Sequence, residues 1–130
     1  MNNIGVLLGR AGLALIFILS GLSKIAGYAG TQQYMEAMGV PGALLPLVIL
    51  VEVGGGLAIL GGFATRWAAL GLAGFTLVAA VLFHSNLGDQ NQFINFMKNI
   101  AIAGGFLVLA SEGAGRFSVD SLLQSRRSHA

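Results

Sequence analysis

The sequence predicts an all-α integral membrane protein, a bundle of four transmembrane helices with both termini in the cytoplasm. Three observations carry this: a composition that cannot cover a soluble surface, four apolar runs of membrane-spanning length, and a lopsided distribution of basic residues. Of 130 residues, 55% are hydrophobic and only 9% charged, with a mean hydropathy of +0.80, whereas a water-soluble domain carries about 25% charged residues. The outside of the chain must therefore face lipid, and the bilayer is its first partner. The formal net charge is +2, but the 7 Lys and Arg are scattered and form no basic stripe, which argues against nucleic acid. With no cysteine in the chain, disulfides, thiol redox chemistry and thiolate metal sites are excluded.

Crossing a hydrocarbon core about 30 Å thick takes about 20 mainly apolar residues. Four segments approach that length: residues 4–25, 43–63, 67–87 and 93–111. The first has neither a basic n-region nor a small-x-small cleavage site and carries Arg10 inside it, so it reads as a retained helix and not as a signal peptide. After it comes GYAGTQQYMEAMGVPG, which predicts a short interfacial helix over residues 31–38, with Tyr28 and Tyr34 in the headgroup zone and Pro41 at a helix start. The second and third runs are joined only by residues 62–66, which makes them antiparallel neighbours. The third is apolar up to His84, and the fourth opens with Asn95, Lys98 and Asn99 in its first turns. Residues 1–113 thus form one transmembrane domain. Residues 114–130 are polar, end in RRSHA, and read as a short, partly disordered cytoplasmic tail with no domain of its own.

Orientation follows from the basic residues. With the N-terminus inside, Arg10, Arg66, Arg116, Arg126 and Arg127 fall on the inner side and only Lys24 and Lys98 on the outer, the bias expected of cytoplasmic loops. Arg10 lies some turns into its span, so it must snorkel to the inner headgroups or face the bundle interior.

The stretch LVEVGGGLAIL, residues 50–60, sets one carboxylate and three consecutive glycines in an apolar run. Glu52 stands ten residues after Gly42, about 15 Å along a helix and near the bilayer centre. An acidic residue there costs roughly 2.5 to 3.5 kcal/mol unless it faces protein or water and is protonated or partnered. Gly55 and Gly56 share its helix face and admit a neighbouring helix closely, which turns Glu52 into the bundle. Helical side chains lean toward their own N-terminus. Lys24 and His84, at the outer ends of outward-running helices, therefore lean toward the membrane centre, while Glu52 leans out to meet them. Lys98 leans outward to water. Asn91, Asn95 and Asn99 recur every four residues and give the fourth helix a polar stripe. Lys24, Glu52, His84 and Asn99 thus emerge as candidates to line one cavity in the outer half, with Lys98 and Asn95 as secondary candidates.

Each candidate also has a plainer role. Lys24 and Glu52 suit a structural ion pair that fixes helix register as well as a ligand or proton site. His84 suits a hydrogen-bonding cap before a ligand. The asparagine stripe suits interhelical hydrogen bonding before a cavity wall, and the Gly5 and Gly9 pair suits close packing. Haem held by two histidines is not expected, since the other histidine is His129 in the tail. No metal site and no dinucleotide, phosphate-loop or catalytic-triad pattern stands out, and no intrinsic cofactor is predicted.

GLSK at residues 21–24, GVP at 39–41, VEVGGGLAILGGFATR at 51–66, FHSN at 83–86 and FMKN at 96–99, in this order and spacing, together resemble the DoxX family over nearly the whole chain. The resemblance implies a four-helix protein of the bacterial inner membrane, of a kind described as candidate oxidoreductases or as subunits of thiosulfate:quinone oxidoreductase and similar membrane redox complexes. The leading expectation is a redox-associated subunit that binds a quinone or related aromatic diol in the outer half, where Glu52 and His84 hydrogen-bond the ring oxygens and Lys24 tunes the carboxylate's charge. A second is a non-catalytic assembly subunit of a larger complex, in which the same residues join helices. A small-solute or proton-coupled carrier ranks third, because four short spans show no paired inverted repeats.

Overall fold

In lipid every backbone polar group must be satisfied within the chain, and apolar segments of this length do so as helices. The computed structural model describes residues 3–83 and 87–128, with side chains to Ser125. Its helices are α1 (Asn3–Ala26), α2 (Tyr28–Ala37), a 3₁₀ turn η1 (Gly42–Leu44), α3 (Leu45–Gly61), α4 (Thr65–Phe83), α5 (Gln90–Glu112) and α6 (Val119–Ser128). Four units are long and apolar enough to span a membrane: α1, η1 with α3, α4 and α5. The short helix expected over residues 31–38 is α2, which begins three residues earlier and ends one earlier.

Several boundaries differ from the sequence reading for local reasons. Pro41 caps η1, and α3 starts at Leu45 with Pro46 in its first turn, where a missing N–H costs nothing. The third span is helical to Phe83, and Leu87 already lies in a turn; His84 falls outside the described residues. Asp89 caps α5 by accepting from the N–H groups of Asn91 (2.9 Å) and Gln92 (3.4 Å), which starts that helix at Gln90, before residue 93.

The chain runs up α1, across α2, down α3, up α4 and down α5, so both termini share one face of the bundle. Here that face is called the terminal face and its opposite the far face. Antiparallel α1 and α3 pack along each other, as do α4 and α5, and the two pairs meet less extensively. Glycine decides the first pairing. A β-carbon at Gly56 would stand 2.8 Å from Ile18 Cγ1 and 3.3 Å from the Ala14 carbonyl oxygen, and one at Gly21 would collide with Val53. Close approach of this kind drives helix association in lipid, where no hydrophobic force acts between helices.

The tight core occupies only the terminal half and the middle. Ala14, Ile59, Ala69, Leu72, Phe106 and Leu109 are buried there, and the rings of Phe17 and Phe106 meet tilted at 59° with centroids 5.4 Å apart. At the terminal face the tail folds back onto this core. The helix end at Gly62 is left-handed (φ 71°, ψ 37°), and Phe63 N–H donates to Ala58 O at 2.8 Å, a glycine-dependent stop. Ala64 follows at φ 46°, an unfavourable conformation for a residue with a β-carbon. Asp120 from α6 supports it, accepting from Ala64 N–H at 2.7 Å and Thr65 N–H at 2.9 Å, so the first turn of α4 is capped by a residue more than fifty positions away in the chain. Arg10 faces the interior. It is 1% exposed, lies against Gly62 and donates through Nη2 to Phe117 O at 2.6 Å. The tail is thus tied to α1 and to the α3–α4 turn, more ordered than its polar composition suggests.

Candidate functional site

Opposite the solid half, the four long helices and α2 enclose a cavity of about 530 Å³. Phe17 lines its inner limit and Tyr34 its far-face side. Its walls are mostly aliphatic and aromatic, and its polar groups come from both helix pairs: Ser20, Lys24 and Glu52 from α1 and α3, Thr76 and Asn99 from α4 and α5.

Lys24 and Glu52 form the first of these groups. Nζ of Lys24 lies 2.8 Å from Oε1 of Glu52 and donates to Ser20 Oγ at 2.7 Å, one turn back on α1. The opposing lean of side chains on antiparallel helices closes the distance, as the sequence implies. The environments are unequal: the Glu52 side chain is 5% exposed and the Lys24 side chain 28%. Among the described residues, Glu52 Oε1 has no hydrogen-bond partner beyond this ion pair. An ionised carboxylate in hydrocarbon is held by its counter-charge, and removal of the ammonium would leave it strongly disfavoured.

On the opposite pair, Asn99 Nδ2 donates to the carbonyl oxygen of Thr76 at 3.3 Å. The Thr76 hydroxyl is buried and has no hydrogen-bond partner among the described residues. The structure thus brings Lys24, Glu52 and Asn99 to one cavity. Asn95 and Lys98 do not line it; Lys98 is exposed on α5 and Asn95 half-buried. His84 follows Phe83, a cavity-lining residue, and itself lies outside the described residues.

Ser20, Thr31 and Thr76 line the cavity without having stood out in the sequence, and Tyr34, expected in the headgroup zone, lines it as well. Ser20 is one helical turn before Lys24, a spacing that marks a shared face. Thr76 sits in an apolar span where a lone hydroxyl draws no notice. Thr31 and Tyr34 arrive because α2 folds over the bundle mouth. Gln32 Nε2 donates to Gly42 O at 3.1 Å, Met35 is buried, and the Tyr34 ring stacks on Phe83 at 5.6 Å and 24°. No periodicity within ten residues foretells that docking.

At the terminal face, well away from the cavity, the Asp120 carboxyl is displaced from its ordinary value. Burial pushes the Asp120 carboxyl up, but the N–H groups of Thr65 and Ala64 and the charge of Arg10 outweigh it and hold the group below its ordinary value.

Comparison with known proteins places the arrangement in a family. The DoxX profile matches residues 5–85, a range that includes Lys24 and Glu52 and stops before Asn99. The chain is 58% identical over 126 residues to the inner membrane protein YqjF of Escherichia coli, with 97% of both chains covered. It is 41% identical over 122 residues to the inner membrane protein YphA of the same organism, covering 88% of this chain and 87% of that one. Over 79 residues, 61% of this chain and 58% of the relative, it is 35% identical to "Putative oxidoreductase CatD" of Bacillus subtilis. No solved structure matches. Four apolar spans and two relatives named for the inner membrane make this a multi-pass inner-membrane protein, and the chain belongs to the DoxX family.

Proposed function

We propose that this chain is a redox-associated membrane subunit whose far-end cavity binds a quinone or related aromatic diol in the outer half of the bilayer. The observation that carries the reading is the pairing of apolar walls with two polar groups from different helix pairs: Lys24 and Glu52 on one, Thr76 and Asn99 on the other. A flat ring with an oxygen at each end matches that pattern, an apolar body fixed by a few convergent polar groups. The ion pair suits both oxidation states. The Lys24 ammonium can donate to a quinone oxygen, and the Glu52 carboxylate can accept from a diol hydroxyl.

Reduction of a quinone to its diol takes up two electrons and two protons. In this reading Glu52 and Lys24 stand where protons reach one ring oxygen, and the electrons come from a protein redox partner. The oxidoreductase in the name of the B. subtilis relative agrees with this class of chemistry. The assembly-subunit reading has its own support, because the same 2.8 Å ion pair joins α1 to α3 and would fix their register without any ligand. Native mass spectrometry of protein released from its own membrane separates the two. A retained mass equal to a quinone or diol, present in the wild type and absent from Glu52→Gln, is the result expected for a ligand site. Protein free of such a mass in both forms would favour the assembly role.

A further inference from the structure

We infer that the cavity is loaded sideways from the bilayer, through a gap between α3 and α4 framed by Leu47 and Val78, and takes a lipid-partitioned molecule with a polar head. The inference rests on reading the cavity as a ligand site, but not on the ligand being a quinone.

The geometry of α3 and α4 creates the gap. Their connection at the terminal face is a tight turn at Gly62, pinned by Asp120. Just beyond it they touch: a β-carbon at Gly55 would stand 3.0 Å from a Leu72 methyl. Leu47 and Val78 lie about 20 Å along each helix from the turn. They line the cavity yet are 57% and 58% exposed, and Leu44 and Leu82 beside them are 44% and 42% exposed. Four aliphatic side chains that face both the cavity and the surroundings make an apolar doorway at the depth of the hydrocarbon. An ion or sugar has no route of matching polarity through it.

At the far face, by contrast, α2 lies over the mouth, with Tyr34 half exposed there. The stacked rings of Tyr34 and Phe83 join α2 to α4 across the mouth, and the buried Met35 ties α2 to the bundle. A ligand arriving from lipid would meet aliphatic walls first and the Lys24–Glu52 pair last, so the pair would be reached by a head group whose tail trails toward the α3–α4 gap.

Because the chain has no cysteine, single introduced cysteines test this without knowledge of the ligand. Ala79→Cys places a thiol on the cavity wall, and Leu50→Cys, at a position 67% exposed on α3, serves as the control on a lipid-facing surface. In lipid nanodiscs, lipid-soluble N-phenylmaleimide should modify both, whereas a charged, membrane-impermeant methanethiosulfonate should leave Ala79→Cys unmodified. Adding Leu47→Trp or Val78→Trp should slow N-phenylmaleimide at Ala79→Cys about tenfold and leave Leu50→Cys unchanged, which also shows that the variants are folded. Ile16→Trp, on the α1 edge of the cavity, should have no such effect, and Tyr34→Ala should admit the charged reagent. The inference is overturned if the charged reagent reaches Ala79→Cys in the wild-type background, if neither reagent does while Leu50→Cys reacts, or if Ile16→Trp slows labelling and the α3–α4 tryptophans do not. Absence of quinone binding with the predicted labelling pattern would remove the quinone and keep the doorway.

Discussion

Breaking the Lys24–Glu52 pair should cost stability unequally from its two sides. At 2.8 Å, two unit charges attract by about 6 kcal/mol at an effective dielectric constant of 20 and by about 1.5 kcal/mol in water. The partly exposed Lys24 and nearly enclosed Glu52 place the coupling between those limits and toward the lower one, about 2 kcal/mol. Lys24→Met strands a nearly enclosed carboxylate whose Oε1 has no other partner among the described residues, at a cost of about 3 kcal/mol. Glu52→Gln strands an ammonium that still has Ser20 Oγ at 2.7 Å and is less enclosed than the carboxylate, at about 1 kcal/mol. The double variant should then lose about 2 kcal/mol, well short of the summed single costs. Unfolding in mixed micelles titrated with an anionic denaturing detergent measures all three. Additive single costs would refute the coupling, and a Glu52→Gln loss larger than that of Lys24→Met would refute the assignment of the less solvated partner.

Other expectations test the frame around the site. Gly56→Ala should destabilise by about 1–3 kcal/mol through overpacking against Ile18, whereas Gly54→Ala, whose β-carbon would meet only a Leu50 methyl at 3.9 Å, should leave the unfolding midpoint unchanged or slightly raised. Asp120→Asn should lose about 1 kcal/mol of capping and expose residues 119–128 to faster amide exchange. Because the folded-state value of Asp120 is lowered, its contribution is complete above the ordinary carboxylate value of about 3.9 and should disappear only as pH falls below that; tail release near neutral pH would contradict it. For orientation, Gln33→Cys on α2 should react with a membrane-impermeant reagent from outside the cell and Ser125→Cys should not; the reverse pattern would move the cavity to the cytoplasmic half.

Much of the fold was legible because lipid simplifies the code. A span announces itself by length and apolarity alone, so all four appeared within a few residues of their observed ends. Boundaries drifted where a local group intervened, as at Asp89 for α5 and at Pro41 and Pro46 for η1 and α3. The meeting of Lys24 and Glu52 was also readable, because side-chain lean on antiparallel helices converts backbone depth into contact. The asparagine stripe was legible only in part: Asn99 lines the cavity and Asn95, one turn before it, does not, since periodicity marks a face without saying how far along it a cavity extends. Hidden from sequence were contacts made by folding back over long separations. Asp120 caps α4, Phe117 O accepts from Arg10, and Tyr34 stacks on Phe83, and each depends on where a connecting segment docks.

In the proposed function Glu52 belongs to a ligand site and does not serve only to join helices. The most direct test of this is the thermal unfolding of wild type and Glu52→Gln with and without a short-tailed 1,4-naphthoquinone. Ligand at 100 times its dissociation constant stabilises a binding protein by about 2.7 kcal/mol. The wild-type midpoint should shift clearly upward, with little or no shift for Glu52→Gln, which remains folded. Equal shifts in both proteins, or no shift in either, would contradict it.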